Sequence, residues 1–457
     1  MKKHSMFRTC LLVVLVVAGL LLLSGLPDWG VGEWEARRVD LLSDVLPPDS
    51  SQMPPVVAEI PIPADSCKPG VTCISDFATE EAENMSLFYE ALNEASQRVV
   101  RIAYIGDSFI EGDILTDQLR DLLQAHYGGM GVGYVGLNHV AVAGRKTIVQ
   151  SRSGVEMHSA VDKHFDATLP DLSGYYFVPQ GTVNVSLRGN SEYSSRLERA
   201  DVSQFILLTR GQPATLTATN EAGQTQHFTT ASGTSLQAVT FQAPMHSVAW
   251  TMSQSSGVIP YAVTMEGRTG IVVDNLSLRG SSGLPLMVIP TERLNELNSI
   301  RHYDLVVLQF GLNVMLRGKT NYSAYGEQLQ RVIDHLRTSM PTTAFLVMGI
   351  GDRGGKLRTG EIGTMPEVVP LQEAQATAAA ATGVAFWNTY EAMGGEGSMI
   401  GFAQAKPVMA AKDYTHINEA GGARIARLIY DAMVWGHELY NLKHHPSLAA
   451  PNQDETP

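Results

Sequence analysis

The chain has 457 residues, more than one hydrophobic core usually serves, and its 44% apolar content is that of a globular protein. Thirty-three Lys and Arg against 46 Asp and Glu give a net charge of −13, and no basic run interleaved with aromatics occurs. Nucleic acid is therefore excluded as a natural partner.

In chain order, Lys2, Lys3 and Arg8 precede an apolar stretch over 10–26, roughly 17 residues long, which reads as an export signal at the border between a cleaved segment and a short membrane anchor. An uncleaved signal anchor over 1–26 is the expectation, with cleavage and secretion as the alternative. Cys10 precedes the apolar core, so a lipoprotein arrangement does not fit. Residues 27–79 are rich in Pro, Ser, Asp and Val without periodicity and read as a tether. Cys67 and Cys73 flank a turn; they form either a disulfide, suited to an oxidising compartment, or two free thiols.

A helix is predicted over 80–96, then a short buried strand over 99–105 that stops at Gly106-Asp107-Ser108. A helix over 114–127 follows, with Ile114, Leu115, Leu119, Leu122 and Leu123 on one face. Between 151 and 269 the character changes to short alternating segments rich in Thr, Ser, Val and Phe, separated by turn signals such as Arg188-Gly189-Asn190. This predicts an inserted β-sandwich of jelly-roll type. Strands over 270–275, 304–310, 343–349 and 384–387 then alternate with helices over 322–339, 371–381 and 419–435. That alternation predicts a parallel sheet covered by helices on both faces, hence an α/β fold class, with 441–457 as a tail.

Ligands of an open parallel sheet bind beyond the carboxyl ends of its strands, where loops and helix N-termini converge. Four blocks fall there. Ser108 follows a strand and opens a helix, where its own amide can face an oxyanion. Asp413 and His416, three residues apart ahead of the last helix, supply a base and the acceptor that orients it. Gln309-Phe310-Gly311-Leu312-Asn313 offers an amide donor, and Arg279-Gly280-Ser281-Ser282-Gly283 a backbone N–H. Each alone reads sooner as an ordinary turn or helix cap. Asp352-Arg353 faces the same crevice, as a substrate contact or, with more weight, as a structural ion pair.

These four blocks, in this order, resemble the SGNH or GDSL hydrolases. The resemblance implies Ser108 as nucleophile, His416 as general base, Asp413 as its orienting carboxylate, and Gly283 and Asn313 as oxyanion donors, with Gly280 a near competitor of Gly283. The chain departs from the pattern with Phe109-Ile110 after the nucleophile and with Val314 where many members have Asp. A closer resemblance is to exported bacterial enzymes acting on O-acetyl groups of peptidoglycan or other envelope glycans, which share an inserted β-domain and an acidic residue shortly after the serine, here Asp113. Ala385-Phe386-Trp387 through Gly394-Gly395 is similar to that subgroup, with Trp387 expected in the core and the glycines at the site mouth.

The resemblance implies a discontinuous hydrolase domain over 80–150 and 270–440 and an inserted domain over 151–269, able to present a glycan to Ser108. It implies an O-acetylated glycan as substrate; the N-terminal segment implies the inner membrane as a contact and a periplasmic location, and no Cys-His cluster of ligand spacing suggests a metal, nor is a cofactor expected. Hydrolysis is the first reading. Acyl transfer to a glycan hydroxyl, with a membrane O-acyltransferase as partner, is the second; a non-catalytic glycan-binding envelope protein is the third.

Overall fold

The computed structural model describes residues 67–445, except 80–83, 138–143, 191 and 255, together with a two-residue strand pairing of Gly30–Val31 with Trp34–Glu35. That pairing lies in a separate unit, Met1–Ile62. The expected anchor over 1–26 lies outside the described residues; among those described, no helix is long and apolar enough to cross a membrane. A disulfide joins Cys67 to Cys73, with Cα atoms 5.8 Å apart.

The host sheet has six strands in the order Gly270–Ser277, Val99–Gly106, Tyr303–Gln309, Ala344–Met348, Ala385–Trp387 and Ser75–Asp76. The first five are parallel and the last is antiparallel. Their sequences are almost unbroken apolar and β-branched runs, as strands buried on both faces require. Ser75–Asp76 was expected in the tether, but two residues carry too little pattern to read as a strand. Asp76 also accepts from the Met85 amide at 2.9 Å, tying this edge to the helix Met85–Asn93.

Helices cover both faces. Thr116–Tyr127 and Glu419–His444 pack on one side, and Ser323–Ser339 and Val368–Thr382 on the other. The last helix runs well past 435 because its C-terminal turns find partners on the first: Tyr440 donates to Glu90 at 3.0 Å, and Asn93 donates to Asn441 at 2.9 Å.

Between the nucleophile block and the glycine block lie two antiparallel sheets. One has five strands, drawn from Ile148–Ser159, Tyr175–Gly189, Thr215–Asn220, Thr225–Thr229 and Ser247–Gln254; the other has four, Gly133–Gly136, Ala200–Arg210, Thr234–Met245 and Val258–Met265. Their inner faces share one core, with Val185, Leu216 and Trp250 from the first meeting Phe205, Phe241 and Val263 from the second. Gly133–Gly136 pairs with Val258–Met265, so the two-sheet unit draws on chain ahead of the expected start at 151. Four residues with two glycines give no strand signal of their own.

The two-sheet unit is fused to the host rather than hung from it. Tyr134, Leu172, Tyr176, Ile206, Leu208 and Tyr261 share a core with Ile105, Leu276, Leu286 and Leu294 of the host. Beneath this, fully buried Arg301 bonds Asp274 at 2.8 Å and Glu266 at 2.9 Å, and Glu266 also takes Arg101 at 2.7 Å. Burial pushes the Glu266 carboxyl up, but the two guanidiniums outweigh it and hold it below the ordinary carboxylate range.

Candidate active site

Register brings the four blocks together. Gly106 is level with both Ser277 and Gln309, so three neighbouring parallel strands end at the same height, and the segments that follow them emerge at one edge of the sheet. Ser108 leaves the first, Arg279 to Gly283 the second, and Gly311 to Asn313 the third. The Asp413–His416 segment arrives ahead of Glu419–His444. That helix comes close because Gly422 has no side chain; a Cβ there would meet the Ile114 carbonyl oxygen at 1.6 Å.

Ser108 is half-buried and lines a cavity of about 340 Å³ together with Glu111, Ile114, Asp117, Arg279 and His416. The Ser108 N–H has no hydrogen-bond partner among the described residues. His416 Nδ1 donates to Asp413 Oδ2 at 2.7 Å, leaving Nε2 free to act as a base. Asp413 Oδ1 accepts the amides of Thr415 at 2.9 Å and His416 at 3.1 Å. Partial burial pushes the Asp413 carboxyl up, but these bonds together outweigh it and hold it below its ordinary value, so it remains an ionised acceptor.

Between the pair, Tyr414 takes a left-handed φ of +53°, uncommon for an aromatic residue. Its carbonyl is held by the Gly354 amide at 2.8 Å. Arg353 braces the same segment: its Nε donates to Thr415 Oγ1 at 3.2 Å and its Nη1 to the Leu312 carbonyl at 3.4 Å. The expected Asp352–Arg353 ion pair is therefore corrected. The two are not ion-paired among the described residues: buried Asp352 accepts the Met399 amide at 2.8 Å instead.

Asn313 reaches the site from the third strand, and both protons of its amide are engaged: Nδ2 donates to Asp107 Oδ2 at 2.8 Å and to the Ser281 carbonyl at 2.9 Å. It thus joins the nucleophile block to the glycine block, and an oxyanion must displace one of these acceptors to reach it. Asp107 is buried beside Ser108, and that burial pushes its carboxyl up to about 6 despite hydrogen bonds from Phe109 and Asn313. The Gly283 N–H is also occupied, donating to Ser281 Oγ at 3.1 Å, and Gly283 is buried with a φ of +85° against the Phe310 ring. Exposed Gly280 is the glycine whose N–H has no hydrogen-bond partner among the described residues.

Asp113 lies outside the cavity. It is fully buried with a φ of +63° and pairs with Arg120 at 3.0 Å and Arg145 at 2.7 Å, while Thr116 and Thr147 donate to it at 2.8 and 3.0 Å. It is a pin, since its neighbours Glu111, Gly112, Ile114 and Asp117 line the cavity, as do Gly144 and Lys146, which flank its partner Arg145. Trp387 is fully buried as expected and donates to the Thr72 carbonyl at 2.9 Å. Gly394 terminates the short helix Thr389–Met393, and neither it nor Gly395 lines the cavity.

Several lining groups carried no sequence signal. Asp117 is largely buried, and that burial pushes it up to about 6 against a hydrogen bond from Tyr193 of the two-sheet unit. Lys146 pairs with Glu419 at 2.6 Å, and Arg279 donates to Glu111 at 2.8 Å. Lys146 and Glu419 stand 273 residues apart, so nothing local marks them as neighbours.

Residues 249–424 match the family described as GDSL-like Lipase/Acylhydrolase. The match starts within the two-sheet unit and takes in Asn313, Asp413 and His416 but not Ser108, which the unit separates from the rest. Among solved structures, a peptidoglycan O-acetylesterase is 23% identical over 81% of this chain and 99% of its own, with a TM-score of 0.65, and so shares the fold. A family two carbohydrate esterase from Cellvibrio japonicus is 9% identical over 63% of this chain and 99% of its own, with a TM-score of 0.26. An acetyl xylan esterase is 14% identical over 35% and 80%, with a TM-score of 0.27. Overlaps that low carry no argument. No curated protein matches the chain.

Proposed function

We propose that this chain, which carries a GDSL-like lipase/acylhydrolase domain and is a serine hydrolase of that type, removes O-acetyl groups from peptidoglycan or another envelope glycan. The observation that carries the reading is the meeting, at one cavity, of half-buried Ser108 with a His416 whose Nδ1 is committed to Asp413. The shared fold of the peptidoglycan O-acetylesterase supports the choice of substrate class.

In this reading Ser108 Oγ attacks the acetyl carbonyl carbon while His416 Nε2 takes the hydroxyl proton, and Asp413 stabilises the resulting imidazolium. The tetrahedral oxyanion is met by the Ser108 N–H, with Gly280 or Gly283 and Asn313 as further donors. The C–O bond to the sugar then breaks, and His416 returns its proton to the sugar oxygen. Water, deprotonated by His416, attacks the acetyl-serine, the bond to Ser108 Oγ breaks as His416 returns the proton to that oxygen, and acetate leaves. Replacing that water by a sugar hydroxyl turns the same acyl-enzyme into an O-acyltransferase, the second reading, for which a membrane acyl donor is the natural partner. Lys2, Lys3 and the apolar 10–26 stretch support export and a periplasmic site of action. The two-sheet unit is the inserted jelly-roll domain of the reading, and it helps to shape the cavity through Tyr193.

Ser108→Ala tests the proposal. Acetate release from O-acetylated peptidoglycan and from an aryl acetate should both vanish, together with labelling by a fluorophosphonate, while the circular dichroism spectrum is unchanged. Turnover persisting in the purified variant rules the serine mechanism out.

A further inference from the structure

Beside the site lies a group of cations that the mechanism does not use. Arg317 and Lys319 follow the Asn313 block, while Lys356 and Arg358 stand on the hairpin of Gly354–Lys356 and Ile362–Thr364; all four are exposed. The two loops touch, Arg317 donating to the Lys356 carbonyl at 2.8 Å. None of the four, nor neighbouring Arg353, forms an ion pair among the described residues. Of the nearby carboxylates, Glu367 is buried and committed to the Gly318 amide, Asp413 is committed to His416, and Glu361 and Glu396 are exposed near the four cations. In a chain of net charge −13 this is a local reversal of sign.

The patch is built onto the catalytic segment. Gly354 holds the Tyr414 carbonyl, and Arg353 bridges Thr415 to Leu312. The next residues of that same segment, His416 and Ile417, line the cavity, where Glu111 is paired with Arg279 and Glu419 with Lys146, and Asp117 has no cation paired with it among the described residues. Charge is therefore divided about the 413–418 segment: the cavity keeps one carboxylate without an ion-pair partner, Asp117, while four cations without one stand on the hairpin and on the loop after Asn313. Carboxylates accept hydrogen bonds from sugar hydroxyls and disfavour anions, whereas unpaired cations attract them. Leu316 and Ile362, 62% and 45% exposed beside the cations, offer apolar contact to sugar ring faces.

We propose that this patch docks a glycan strand bearing carboxylates, so that the enzyme selects anionic acetylated polysaccharides over neutral ones. The acetylated sugar enters the cavity while carboxylates elsewhere on the strand lie along Arg317, Lys319, Lys356 and Arg358. The proposal rests on the esterase reading and names its substrate class.

The test is the combined variant Arg317→Gln, Lys319→Gln, Lys356→Gln and Arg358→Gln, assayed on an aryl acetate, on O-acetylated peptidoglycan and on the same polymer after amidation of its carboxylates. The wild type should favour the unmodified polymer over the amidated one, and this preference should fade as salt rises from 0.02 to 0.5 M, concentrations that shorten the screening length from ~20 Å to ~4 Å. In the variant, kcat/KM on the unmodified polymer should fall about tenfold, mainly through KM, with aryl acetate and amidated polymer unchanged. Equal loss on both polymers, or no loss on either, overturns the charge recognition. So does loss of binding to phosphatidylglycerol vesicles with polymer kinetics intact, which would make the patch a lipid contact. A wild type inert toward all three substrates fails the esterase reading itself, whereas one that cleaves both polymers equally fails only the anionic preference.

Discussion

Replacing Asp113 by Asn tests whether the cavity is held by a buried charge. The substitution is nearly isosteric, and Asn tolerates the left-handed backbone found there, so the change is one of charge rather than shape. It leaves Arg120 and Arg145, 0% and 4% exposed at their side chains, without their shared anion, and points an amide donor toward guanidinium donors. Breaking a buried pair by removing one partner costs about 3–5 kcal/mol. Two cations are orphaned here, so the upper part of that range is expected, a large fraction of the roughly 5–15 kcal/mol by which a folded protein is stable. The assay is urea denaturation followed by fluorescence, with the midpoint converted through the unfolding slope.

The pH dependence of the difference is a second check. Burial pushes the Asp113 carboxyl up, but Arg120 and Arg145 outweigh it and hold it far below the ordinary range. Its contribution is therefore fully present above the unfolded-state value of about 3.9 and is lost as pH falls toward the folded value. The gap between wild type and variant should stay constant from pH 5 to 8 and narrow only below about pH 4. A loss under about 1 kcal/mol at pH 7, or a gap that narrows near neutrality, would refute the account of Asp113 as an ionised pin.

Asn313→Ala should lower turnover about 10²–10³-fold if its amide serves the oxyanion; a change in melting temperature without a kinetic loss would assign it solely to joining Asp107 to Ser281. Deleting 151–269 behind a Gly-Ser bridge should yield insoluble protein, because Ile105, Leu276, Leu286 and Leu294 lose cover worth about 1.5–3 kcal/mol each and Arg301 loses Glu266. A folded deletion variant active on aryl acetate would show the two-sheet unit to be separable after all. Asp107 titrates near 6 in the folded chain against an ordinary 3.8, so the native state binds the extra proton between those values and wild-type stability should fall as pH rises from about 4 to 7. Asp107→Asn should flatten that slope in denaturation curves measured across the range, and an unchanged slope would place its origin elsewhere.

Local pattern alone determined the parallel sheet, its helices, the strand-end positions of Ser108 and Asn313, and the place of Asp413–His416 ahead of the last helix. A strand buried on both faces must be a continuous apolar run, and a chain leaving such a strand into a helix must turn at small or polar residues, so both features are written within ten residues of sequence. The Asp413–His416 pair was legible for the same reason, since its hydrogen bond closes over three residues. Tertiary structure alone decided the rest. Asp113 follows the serine as an acidic residue should in the resembling enzymes, but its partners Arg120 and Arg145 come from separate segments and make it a buried pin rather than a site residue. Asn313 and Gly283 stood in the right blocks, yet whether their N–H groups are free depends on Asp107 and the Ser281 oxygens, which register and loop conformation bring to them. The joining of Lys146 to Glu419, of Arg353 to Thr415, and of the two-sheet unit to the host through Arg301 are contacts between distant segments. Ion pairs and shared cores of that kind obey no sequence period, because only the folded chain sets the distance between their members.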